Sequence, residues 1–460
     1  MLKKRLGMLL GITLLATSVL SGCGSGGGQA TEGSKTAESK AVEESGESSG
    51  SAEDSASSEA AEANADSIVI WAFAEPHARY FEWVSEEYKK DHPDVEFTIE
   101  LMDNVALADR LSVINSSGGE GSPDLIDMEQ GTFPRFMTEE QMCLEPLDEY
   151  IERDNVVEQM VETRLSLYSY NGHYYGLEHA LCPVTMAYRA DLFEEYDIPV
   201  PTTWDEYKAA AEEFAKHDIY IASTKDMSVI SDEVDSLSVL LRAANADFVG
   251  EDGKLNITDE FKQVVMDHIA MQKNGQMHAW ETQDESWPVF AEDKVATYFT
   301  ADWAAGWLRD NVPEQSGKWQ MAPLPKLTDS AAGVSVRGGT GLGMSKYTNK
   351  DKEVLWDFMK FAQLDKDNCV EKYQQIALYP PVYAAMEECS GPVEYYNNQD
   401  LGALYQELAD EIPTQNQADW RYTFTETFNS NAYDLVEGNI TIDEMADILT
   451  DAVNAYEESK

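Results

Sequence analysis

Aromatic and acidic or amide side chains stand next to one another at the ends of several apolar runs in this 460-residue chain. They are Phe73 and Glu75, Glu129 and Gln130, Glu178 and His179, Asp302 with Trp303, and Trp420 with Arg421. An aromatic ring offers a flat apolar face, and carboxylates and amides accept paired hydrogen bonds. Together these groups suit a sugar, which presents apolar C–H faces and equatorial hydroxyls. The run Gly338-Gly339-Thr340-Gly341-Leu342-Gly343-Met344-Ser345-Lys346 adds backbone that a ligand can approach closely, because glycine lacks a Cβ. Gly339 and Thr340 are the candidate donors there. A phosphate loop would need Lys where Met344 stands, so nucleotide binding is not expected. For each aromatic, plain core packing is the competing assignment, above all for Trp71, Trp83 and Trp356.

Catalytic signatures are missing from the sequence. It contains no HExxH or kinase set. A glycosidase needs two carboxylates at a defined separation, but among 85 acidic residues any pair could be nominated. A binding protein rather than an enzyme is therefore expected, with a surface hydrolase as an alternative. Cofactors are not called for, and with no CxxC pair and few, scattered His residues a metal site is not expected either. The formal charge of -52 argues against nucleic acid or anionic lipid as partners. It leaves open a cationic solute such as a polyamine, held by carboxylates and cation–π contacts.

Elements that could position these residues alternate along the chain. Ile68 to Phe73 reads as a strand buried on both faces. Phe81, Val84 and Tyr88 have helical spacing up to Asp91-His92-Pro93. Val95 to Leu101 alternates as a strand, Leu107 to Ile114 forms a helix stopped by Gly118 and Gly119, and Pro123 to Met128 is a third strand. Asn171-Gly172 predicts a hairpin. Capping boxes at Thr203–Glu206 and Thr441–Glu444 open helices reaching about Lys216 and Tyr456, and Leu355 to Ala362 is another amphipathic helix. The fold class expected is α/β, and residues 67–460 are long enough for two lobes.

The N-terminus carries an address. Lys3, Lys4 and Arg5 precede an apolar stretch, Leu6 to Leu20, shorter than the about 20 residues that span a bilayer. Leu20-Ser21-Gly22-Cys23 resembles a bacterial lipobox, which implies a signal peptide at 1–22 and lipidation of Cys23; an ordinary signal with an incidental Cys is the alternative. Residues 23–66, rich in Gly, Ser, Ala and Glu, read as a disordered tether. Cys143, Cys182, Cys369 and Cys389 could form up to two disulfides or stay as buried thiols, and spacing leaves the choice open.

The order of several motifs is similar to that of the family 1 extracellular solute-binding proteins, the receptors of carbohydrate ABC importers. In this sequence the motifs are the Trp71-bearing first strand, Tyr88 through Pro93, Pro123-Asp124-Leu125-Ile126, Leu144-Glu145-Pro146-Leu147-Asp148, Tyr175-Gly176-Leu177 and Tyr188-Arg189-Ala190-Asp191-Leu192-Phe193. After them come Pro201 through Tyr207, Phe290 through Ala296 with Asp302-Trp303, Met321 through Pro325, and Gly338 through Ser345. The resemblance covers about residues 67 to 360. It implies a periplasmic-binding-protein-like fold of two lobes joined by hinge strands, with solute held in the cleft between them. Lobe 1 would take about 67–182 plus 296–345, and lobe 2 about 183–295 plus 346–460. The chain would cross near Cys182 to Tyr188, again near Val295 to Asp302, and once further on. It further implies a monomer that works with ABC permease subunits, lipid-anchored at the outer face of the bacterial cytoplasmic membrane. Glu178-His179-Ala180-Leu181-Cys182 departs from the family's usual Pro and small polar residues at this edge.

Overall fold

A computed structural model describes residues 67–227 and 236–460. Cys23, the signal and the tether lie outside the described residues. In chain order the strands are β1 (Ile68–Ala72), β2 (Phe97–Leu101), β3 (Leu125–Glu129), β4 (Ser169–Tyr170), β5 (His173–Tyr174), β6 (Leu177–Glu178), β7 (Pro183–Arg189), β8 (Tyr220–Lys225), β9 (Met277–Trp280), β10 (Val295–Ala301), β11 (Trp319–Ala322), β12 (Ser335–Val336), β13 (Thr340–Met344), β14 (Pro392–Val393) and β15 (Gln399–Asp400). The first helix, α1 (Glu75–Lys89), follows β1 directly, and α2 (Asn104–Ser116) follows β2. The expected hairpin at Asn171-Gly172 is β4–β5, with both turn residues at positive φ. Both expected capping boxes form, at Thr203 and Thr441.

Two sheets organise these strands. The first has the order β2-β1-β3-β13-β6, with β1, β2 and β3 parallel and β13 antiparallel to both its neighbours. The second runs β11-β7-β10-β8-β9, with β12 also paired to β7. Apolar side chains pack on both faces of each. Val84, Leu125, Leu342 and Trp356 belong to one face of the first sheet, and Leu107, Met128 and Phe133 to the other. In the second, Phe214, Phe299 and Phe424 share one core, and Trp319, Tyr379 and Tyr396 another. Continuous apolar strands such as Ile68–Ala72 are what two covered faces require.

The chain passes from the first sheet to the second between β6 and β7, through residues 179–182. It returns between β12 and β13, through residues 337–339. The two passages run side by side: Val336 is paired with Pro183, and the Arg337 N–H donates to the Cys182 carbonyl at 3.2 Å. This corrects one expectation. The family resemblance implies a second crossing near Val295 to Asp302, but β10 is an interior strand of the second sheet, hydrogen-bonded to β7 and β8. Nor do residues beyond 345 all side with the second sheet. Leu355, Trp356, Phe358 and Cys369 pack into the first sheet's core, whereas Phe424, Phe428, Met445 and Leu449 pack into the second's. All four described cysteines are separate buried thiols.

Candidate functional site

The two passages and the carboxyl ends of β1, β3, β6 and β10 meet around one cavity of about 460 Å3. In α/β sheets the loops beyond the strand ends are free of the next helix and converge, so ligands bind there. A second, wider hollow of about 890 Å3 lies between the β4–β5 turn, residues 252–257, Trp420 and the C-terminal helix. The smaller cavity is the stronger candidate, because backbone from both sheets builds its walls.

Its apolar side consists of Phe73, Pro76, Trp303, Trp307, Ile376 and Leu378. Phe73 follows β1 and is half-buried, with its ring edge-on to His77 at 5.3 Å between centroids. Trp303 is fixed twice: its indole N–H donates to the Arg337 carbonyl at 3.1 Å, and the Arg337 guanidinium lies 5.0 Å from the ring centre. Trp307 stands edge-on to Trp303. These rings keep exposed faces in the cavity instead of disappearing into a core.

The polar side starts from Glu178, at the end of β6. Its side chain is fully buried and takes the Arg164 guanidinium at 2.9 Å, and it also accepts the backbone N–H groups of His179, Ala180 and Thr340. Burial pushes this carboxyl up, offset in part by Arg164 and those N–H groups. Arg164 also donates to the carbonyls of Ala180 and Gly338, so one guanidinium ties both passages together. Glu129 lines the same wall and accepts from the backbone N–H of Gly131 at 2.8 Å and of Thr132 at 3.0 Å. Gly339 is at φ +152, and a methyl group there would stand 2.6 Å from Arg164 and Leu167 and 2.8 Å from Glu178. Only glycine lets the backbone lie this close.

Beneath the cavity floor lies Asp127, on β3, wholly buried. His77 Nδ1 is 2.9 Å from one of its oxygens and His179 Nε2 3.0 Å from the other. Burial alone would raise this carboxyl, but the two imidazoles outweigh that and hold it below the usual carboxylate range. Burial pushes His179 down to about 4 against the pull of Asp127.

Seven of the sequence candidates therefore come together: Phe73, Glu129, Glu178, His179, Trp303, Gly339 and Thr340. The others sit elsewhere. Glu75 is exposed in the first turn of α1, 3.4 Å from Arg79. Gln130 is buried and takes a hydrogen bond from Gln415. Asp302 turns from the cavity to accept the Tyr379 N–H at 2.9 Å. Trp420 packs into the second sheet's core, its N–H on the Gly253 carbonyl, and Arg421 lies over Phe248 at 4.5 Å. Sequence reasoning missed His77, Asp127, Arg164, Trp307 and Arg337. Asp127 left a usable signal, a lone charge inside the apolar run Leu125-Ile126-Asp127-Met128.

A family model described as "Bacterial extracellular solute-binding protein" matches residues 75–368. The chain belongs to this family. Among curated relatives, this solute-binding protein is 24% identical to the arabinooligosaccharide-binding protein of Halalkalibacterium halodurans, over 80% of this chain and 84% of the relative. It is also 24% identical to the protein of that name in Bacillus subtilis, over 77% and 83%. Among solved structures, a family 1 extracellular solute-binding protein superposes with a TM-score of 0.71 at 16% identity, covering 85% of this chain and 99% of that one. The sugar-binding protein MalE of Xanthomonas citri superposes at 0.69 and 16%, covering 85% and 98%. The fold of this solute-binding protein is thus the two-lobed α/β fold expected from its sequence, and its family is one of binding proteins.

Proposed function

We propose that the protein captures a sugar or oligosaccharide in the cavity between the passages and delivers it to an ABC permease. The observation that carries this reading is the pairing of stacking surfaces, Phe73, Trp303 and Trp307, with fixed polar groups, Glu129 and the Glu178–Arg164 pair, in one cavity at strand ends. The arabinooligosaccharide-binding relatives support the same substrate class. The lobes close on the solute by hinge motion about residues 179–182 and 337–339. In this reading the chain is an exported monomer anchored to the outer face of the membrane through lipid on Cys23.

Thermal shift against arabino- and malto-oligosaccharides, with spermidine as the cationic competitor, tests the substrate class. A ligand that binds only the native state raises the melting temperature. At least one oligosaccharide is expected to do so, and Trp303→Ala is expected to weaken it tenfold or more, the loss of about 1.4 kcal/mol of stacking and burial. A shift with spermidine and none with any sugar would overturn the carbohydrate reading. Release of free sugar from the bound glycan would favour a hydrolase.

A further inference from the structure

Three separate segments bring metal-ligating side chains together under the cavity floor. His77 comes from the first turn of α1, Asp127 from the middle of β3, and His179 from the passage after β6. One ligand atom from each lies within 4.8 Å of the others, and all three residues are buried. Four-coordinate zinc with bonds of about 2.0–2.1 Å sets its ligand atoms about 3.4 Å apart. His77 Nδ1 lies 2.9 Å from one Asp127 oxygen and His179 Nε2 3.0 Å from the other, so the carboxylate stands between the two imidazoles.

A second observation concerns protons. The Gln363 oxygen accepts from the Lys372 ammonium at 2.7 Å, which has only donors to offer, so the amide turns its NH2 toward His179 Nε2, 3.2 Å away. That nitrogen then carries a lone pair, and it lies 3.0 Å from an Asp127 oxygen. The oxygen itself, with no exposure, has no hydrogen-bond partner among the described residues. Two buried acceptors facing each other with no proton between them is costly, and a cation between them removes the cost.

We propose that His77, Asp127 and His179 form a site for one borderline divalent ion of the zinc or cobalt class. Two imidazoles and one carboxylate are the donor set such ions select, whereas calcium and magnesium require six or more oxygens. His77 binds through Nδ1 once its proton sits on Nε2, and the ion takes from the Gln363 amide the lone pair of His179 Nε2. His77 and His179 both line the cavity, so its water or a solute oxygen completes the coordination. The site stands whichever solute the cleft takes.

Cobalt(II) is the probe, because four-coordinate cobalt absorbs far more strongly in the visible than the hydrated ion. Protein stripped with a chelator is titrated with Co2+ and then with Zn2+. The expected result is one equivalent of strongly absorbing Co2+, displaced by one equivalent of Zn2+. His77→Gln and Asp127→Asn should lose the band while keeping the parent's far-ultraviolet dichroism. The many surface carboxylates bind Co2+ weakly as a hydrated ion, so uptake without the band overturns the proposal. So does a band unchanged in His77→Gln. The parent protein alone decides the first outcome, should either variant fail to fold.

Discussion

Asp302 stands where β10 ends, fully buried, with one carboxyl oxygen on the Tyr379 N–H. Burial raises this carboxyl from its ordinary 3.8 to about 7, against the backbone N–H groups of Trp303 and Tyr379. A folded value above the unfolded one means the native state holds the proton more tightly. Its contribution to stability is thus present below about pH 4 and lost as pH rises toward 7. His179 works the other way: lowered from 6.5 to about 4, it contributes above pH 6.5 and loses that contribution as pH falls. The two slopes oppose one another in the parent protein, so a substitution is needed to separate them. Asp302→Asn keeps an acceptor for Tyr379 and removes the charge. Urea unfolding should show the variant more stable than the parent at pH 8, by at most about 4 kcal/mol, with the gap closing toward pH 4. A gap independent of pH would mean that Asp302 is ionised at no cost. The pair Asp302-Trp303 was visible in the sequence, but not that one side chain turns inward while its neighbour faces the cavity. That choice depends on Tyr379, far along the chain.

At the scale of elements, β13 explains the glycine-rich run. Thr340–Met344 is an interior strand between β3 and β6, and alternate residues face the same side. On that side, a methyl at Gly341 would meet the Tyr168 ring at 2.6 Å, and one at Gly343 would meet Leu144 and the Tyr175 carbonyl at 2.9 Å. The glycines at 339, 341 and 343 thus make a bare face on which Arg164, Tyr168 and Leu144 lie against the backbone. Gly341→Ala should destabilise the protein by about 1–3 kcal/mol through overpacking, read from the urea midpoint at unchanged slope. A neutral effect would show that Tyr168 has room to move. Local pattern made most elements legible: the continuous apolar run of β1, the alternation of β2, and the capping boxes at Thr203 and Thr441. The glycine run read instead as a ligand loop. Only its first residues line the cavity, because the tight approach at 341 and 343 is set by side chains from another segment.

At the scale of the whole molecule, the alternating pattern and motif order carried the two-lobed fold, but not which sheet each strand joins. Sheet membership is a long-range matter. β10 enters the second sheet because Thr297 and Phe299 pair with Tyr188 and Met186 across more than a hundred residues of chain. Charge, by contrast, needs no topology. Lys and Arg number 33 against 85 Asp and Glu, so most acidic side chains have no basic partner and repel one another. Local ion pairs such as Arg153–Glu353 and Lys262–Asp443 oppose this, yet exposed pairs contribute only about 0–1 kcal/mol each. Salt screens both, and the Debye length falls from about 30 Å at 0.01 M to about 10 Å at 0.1 M. Long-range repulsion therefore fades first, while pairs in contact keep much of their attraction. The melting temperature should rise by several degrees between about 0.01 M and 0.3 M salt, with NaCl and KCl alike. A flat or falling curve would place the balance with the local pairs. A rise with one cation only would point instead to specific ion binding.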